Sequence, residues 1–220
     1  YYKMEYASGT TGLKIQIAPA SNGDTWATAN GFSISPAHMD RGDGVGERDV
    51  VYVGRYHCAT DDYTSKTGVM PKTGSLKATF RSNIHNLGSN IWQRDITIQK
   101  TLQMLYLVEF ADFNSQAKIG GGCRVNAGEA AVKNNGATDS MPYHTGTIAN
   151  SISPTSYGAI QYRNIENLWC NVTEFIDGLY FDDSDNTKTY VIINPSNFSD
   201  TTGGTQIGTI ASFSTGEPFL

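Results

Sequence analysis

The sequence predicts an α+β fold, with helices segregated from a small antiparallel sheet. Three observations point to it. Segments near both ends alternate apolar and polar residues. One central stretch repeats at helical spacing. A long region rich in Gly, Asn, Thr and Ser then follows with no period at all.

In GLKIQIAPA (12–20), Leu13, Ile15 and Ile17 point one way and Lys14 and Gln16 the other, which reads as a half-buried strand stopped by Pro19. GFSISPAHM (31–39) is a short extended piece broken at Pro36, and HMDRGDGVGERD is a charged, Gly-rich loop. DVVYVGRYHC (49–58) reads as a second strand, with Val51 and Val53 alternating against Tyr52 and Tyr56. The period then changes. Leu76, Phe80, Ile84 and Leu87 fall at i, i+4, i+8 and i+11, predicting an amphipathic helix capped by Ser75 and ended by Gly88. A second helix, apolar nearly all round over 98–110, is capped by Asp95 or Thr97. After the long irregular region, which runs to about residue 158, AIQYRNIENLW, EFIDGLYF and KTYVIIN read as short strands and DDSDNT as a turn. The tail from Ser199 reads as weakly structured. Residues 1–220 read as a single domain, with 1–30 as a lead-in strand or linker.

Only 17% of the residues are charged, and the chain has 23 Gly, 12 Tyr and 3 Trp. An uncharged polar surface with amphipathic rings suits recognition of sugars or proteins, and equally an extracellular or virion protein that avoids charge. A net charge of −5 with no Lys/Arg run argues against nucleic acid as a partner. No apolar run approaches the ~18 residues of a membrane span. The chain begins with Tyr rather than Met, which fits a processed or excised piece. Cys58, Cys123 and Cys170 are odd in number and read as buried free thiols. The sequons at Asn171 and Asn197 matter only in a eukaryotic secretory pathway, which unpaired cysteines do not favour.

Several patterns carry chemistry weakly. Arg41-Gly42-Asp43 is an integrin-type tripeptide and more simply a Gly-rich turn. Asp182, Asp183 and Asp185 offer carboxylates to a hard cation but lack calcium-loop spacing, and a solvated hairpin turn explains them. His38, His57, His85 and His144 are scattered, and no nucleophile–base constellation is visible. The stretch ENLWCNVTEFIDG (166–178) is different. Asn167 and Glu174 bracket a short irregular segment whose carbonyls could turn to one point, as in a mixed-oxygen calcium cage. More simply, they satisfy backbone groups of a tight turn.

NIENLWCNVTEFIDG resembles the GLYDMxGNVWEW signature of the formylglycine-generating-enzyme-like branch of the C-type lectin fold, which includes retroelement-diversified variable proteins of phages and bacteria. GFSISPAH, VVYVGRYHC, FRSNIHNLG, LYLVEFADFNSQ and YRNIENLW, spaced over residues 30–195, look like the frame of phage tail and minor structural proteins of that fold. The resemblance implies a C-type-lectin-like domain: two helices on a small antiparallel sheet, with long irregular loops as a display face. It implies a calcium held by Asn167, the carbonyls of Cys170 and Val172, and Glu174. It departs at Cys170, where the family has Gly, and at Thr173, where it has Trp. If that Gly needs a positive φ, Cys fits poorly and the segment survives as a structural knot. Trp169 and Phe175 would then anchor the knot in the core.

The enzyme branch uses two late cysteines. None follows Cys170, so no catalytic residue is expected. The chain also stops at Leu220 without the closing segment rich in Gly, Trp and Arg that the resemblance leads one to expect. The implied function is therefore non-catalytic. The chain would be a bacteriophage virion protein, a tail-fibre or receptor-binding adhesin that contacts a host surface glycan or protein. The alternative is a head fibre, collar or capsid decoration that binds other virion proteins. Avidity would come from a homo-oligomer, a trimer being common in fibres, although no coiled-coil stalk is present.

Overall fold

The computed structural model describes residues 1–6, 12–122, 132–148, 158–182, 184–185 and 187–209. In chain order the elements are β1 (Tyr2–Tyr6), β2 (Leu13–Ile17), α1 (Asp24–Ala29), α2 (Lys77–His85), α3 (Ile96–Phe110), α4 (Ser115–Lys118), β3 (Gly146–Thr147), β4 (Ile160–Tyr162), β5 (Ile165–Glu166), β6 (Leu179–Phe181), β7 (Lys188–Val191) and β8 (Thr205–Thr209). The fold is mixed α+β: two helices of seven residues or more, three small antiparallel sheets and much irregular structure. Among the described residues no helix is long and apolar enough to cross a membrane.

The chain divides into two units. One contains Tyr1–Val51, Arg94–Phe113 and the described residues from Ile176 onward. β1 and β2 pair with Tyr2 opposite Ile17 and Met4 opposite Ile15, and α3 lies against β2. The sheet β6-β7-β8 brings Tyr180 opposite Tyr190, their rings stacked 5.1 Å apart. Asp95 organises this unit. One carboxylate oxygen accepts from the Thr97 and Ile98 N–H groups (2.8 and 3.2 Å), capping α3, and the other takes the Arg41 guanidinium at 2.7 Å. Arg41 also donates to the Ile193 carbonyl, and both charged residues are buried. With its arginine buried on Asp95, the Arg41-Gly42-Asp43 tripeptide is a structural turn.

The other unit contains Tyr52–Gln93 and Asn114–Phe175. Its β4–β5 hairpin turns at Arg163 and Asn164, both at positive φ (49° and 65°), as a two-residue primed turn requires. Its buried residues are largely polar: His57, Asn135, Thr138, Gln161, Glu166 and Asn167 are buried along with Ile160 and Tyr162. Such an interior holds only if its groups are hydrogen-bonded.

Several expectations are corrected. DVVYVGRYHC forms no strand; the Arg55 carbonyl goes to Glu166 N–H, the Tyr56 N–H goes to the Ser65 hydroxyl, and Tyr52 is 92% exposed. The first helix starts later than expected, with Leu76 rather than Ser75 at the N-cap and no side-chain cap bond. α3 is only partly buried: Ile98, Met104 and Tyr106 face inward, while Val108 is exposed. The tail contributes a real strand, β8, paired to β7. Cys123, Asp183 and the residues beyond Thr209 lie outside the described residues.

Candidate functional site

The site is built from the β4–β5 hairpin and the chain leaving it. Glu166, at the end of β5, is 2% exposed. Its carboxylate accepts from the Gly136 N–H (2.9 Å), the Thr138 N–H (2.8 Å) and the Thr138 hydroxyl (2.7 Å), fixing a loop thirty residues upstream. Asn135, beside that loop, donates to the His57 and Lys66 carbonyls. Asn171 closes a second long link, exchanging two side-chain hydrogen bonds with the backbone of Lys133.

Asn167 sits at φ 56° and is 1% exposed. Its Oδ1 accepts from the Ile160 N–H (3.3 Å) and the Cys170 thiol (3.0 Å). Its Nδ2 is buried without a partner among the described residues. The positive φ values fall on Asn167 and Asn171, not on Cys170, so the residue standing where the signature has Gly carries no left-handed strain. The Cys170 carbonyl accepts from the Val172 N–H at 2.9 Å. Glu174 turns elsewhere: a carboxylate oxygen lies 3.0 Å from Nε2 of the buried His57. Of the four residues assigned to calcium, then, Asn167 and Cys170 meet each other through the thiol, Val172 meets Cys170 through the backbone, and Glu174 meets His57. A calcium cage needs bare oxygens. Here Asn167 Oδ1 already takes two protein donors, and the remaining group of that amide is itself a donor. Among the described residues no group of three or more His, Cys, Asp or Glu could hold a metal ion.

Trp169 is partly buried and donates its indole N–H to the Gly120 carbonyl at 3.1 Å. Phe175 is not in a core. It is 44% exposed, its carbonyl accepts from the Gln93 side chain, and its ring lies 6.2 Å from that of Phe80. Phe80 in turn meets Tyr63 edge-on at 5.9 Å, and the Lys72 ammonium stands 5.7 Å from the Tyr63 ring centre. The result is a half-exposed row, Phe175–Phe80–Tyr63, with Leu76 one helical turn before Phe80 and 75% exposed.

Burial pushes the Cys58 thiol above its ordinary pKa, leaving it protonated and a poor nucleophile. Asp182 accepts from the Ser184 N–H and hydroxyl, and Asp185 from Thr187, so these carboxylates serve their own turn. The roles of Glu166, His57, Asn135 and the aromatic row escaped sequence reasoning. The one available signal was a Glu at position 166 set directly between Ile165 and the Asn167–Trp169 turn. No family model, curated protein or solved structure matches the chain.

Proposed function

We propose that the chain is a non-catalytic binding protein of a bacteriophage virion, an adhesin whose C-type-lectin-like display unit contacts a host surface glycan or protein. The half-exposed row Phe175–Phe80–Tyr63 carries the reading. Aromatic faces beside a cation supply large contact area at low entropic cost and stack on sugar rings or apolar side chains. The polar knot around Asn167 and Glu166 precedes Phe175 in the chain and in this reading holds without calcium, since its oxygens serve protein donors. In this reading the NIENLWCNVTEFIDG segment is a scaffold that presents Phe175.

The exposed Leu76 at the N-cap of the same helix favours a second occupant, another virion protein. One experiment separates the two: binding of labelled chain and its Phe175→Ala variant to host cells and to purified virions lacking the chain. The adhesin reading predicts cell binding weakened about tenfold by Phe175→Ala, the cost of one aromatic anchor. Binding confined to virions would replace it with the structural reading.

A further inference from the structure

The first unit holds a cavity of about 320 Å³, within the ~300–1,000 Å³ usual for small-ligand sites. Its apolar lining includes Ile34, Met104 and Leu105. Its polar lining includes Asp24, Glu47, Asp49 and the His38 imidazole. The side chains of Glu47 and Asp49 have no hydrogen-bond or ion-pair partner among the described residues, while Asp24 accepts from the Tyr1 phenol. His38 Nδ1 is 2.6 Å from the Ser35 hydroxyl, which leaves Nε2 for a ligand. Burial pushes the His38 pKa down, so the ring is neutral at pH 7. Of the cations beside the cavity, the Arg48 guanidinium bonds to the Met39 and Gly46 carbonyls and to the Asp43 carboxylate, and the Tyr1 ammonium donates to the Ala18 carbonyl.

We infer that this cavity is a saccharide site selective for neutral or amino sugars over acidic ones, an inference that rests on the host-glycan form of the proposed function. The apolar lining takes the C–H face of a pyranose. Unpartnered carboxylates accept from pairs of ring hydroxyls, and a neutral imidazole supplies a donor or an acceptor. A uronic or sialic acid would bring its carboxylate toward Asp24, Glu47 and Asp49 with no uncommitted guanidinium to meet it.

The test follows the Met104 methyl resonance of the full chain by NMR. The titrants are methyl glucoside, methyl galactoside, methyl mannoside, N-acetylglucosamine, glucosamine and glucuronic acid. At least one neutral or amino sugar should shift it saturably, and glucuronic acid should not. The exposed pair Glu47→Gln and Asp49→Asn should weaken that sugar about tenfold, the scale of losing charged hydrogen-bond acceptors, with the spectrum otherwise unchanged. A chain that binds host cells yet shows no Met104 shift with any of the six overturns the cavity assignment and leaves the adhesin reading standing. A chain that binds neither cells nor sugars overturns both. Glucuronic acid binding as well as the neutral sugars overturns the selectivity.

Discussion

At the scale of single residues, the second unit depends on buried polar groups that find partners far away in sequence. Glu166→Gln replaces one acceptor oxygen by an N–H₂ that faces backbone donors at Gly136 or Thr138. It should destabilise the chain by about 2–3 kcal/mol, the cost of losing a charged acceptor and stranding a buried donor, and a thermal melt reads it directly. Glu174→Gln is milder because Glu174 is partly exposed; it should lower Tm by the equivalent of about 1 kcal/mol and leave cell binding unchanged. In the first unit, Asp95→Asn removes the charge opposite buried Arg41 and should cost about 3–5 kcal/mol in denaturant unfolding. Asp95 was legible in the sequence because a capping residue sits next to the helix it serves. Glu166 was not, because the groups it satisfies lie thirty residues upstream in a stretch without periodicity. Phe175 misled for a related reason: aromatic identity does not say which side of a ring faces water.

At the scale of elements, α3 was visible from a stretch apolar nearly all round and its Asp95 cap, β2 from alternation, and β7 as the short strand in KTYVIIN. DVVYVGRYHC has the composition of a strand but no partner strand; its backbone groups are taken by Glu166 and Ser65 instead. β8, TQIGT, has the reverse history, since pairing to β7 makes a strand of a polar, Gly-containing segment. α3 ends at Ala111 in the left-handed region, φ 51°. Ala111→Gly should therefore stabilise the chain by about 1 kcal/mol, read as a rise in Tm. At Gly178, φ is 69° and an added Cβ would stand 2.6 Å from the Ile192 carbonyl, so the Asp177–Gly178 pair admits no side chain there without backbone movement. The turn after β6 carries a pH signature. The Ser184 hydroxyl and N–H hold the Asp182 carboxyl below its usual pKa, and the Thr187 hydroxyl, then Lys188, do the same for Asp185. Depressed carboxylates stabilise the fold above their unfolded pKa of about 4, and that contribution disappears as pH falls through the lower folded values. Carboxyl NMR titration should give both midpoints below about 3.9; a midpoint at or above it would remove the turn bonds from the account.

At the scale of the whole molecule, the chain forms two compact units, each assembled from separated stretches. That interleaving is invisible to composition, because no linker marks where one unit hands over to the other. The central proposal is that the chain is a surface binder whose signature segment is a scaffold that holds without calcium. Its most direct test is saturable binding of the labelled, folded chain to a panel of bacterial strains, with and without a calcium chelator. The account predicts binding to a subset of strains at the same affinity in both conditions. Binding abolished by the chelator would contradict the calcium-free knot, and no binding to any strain would contradict the adhesin.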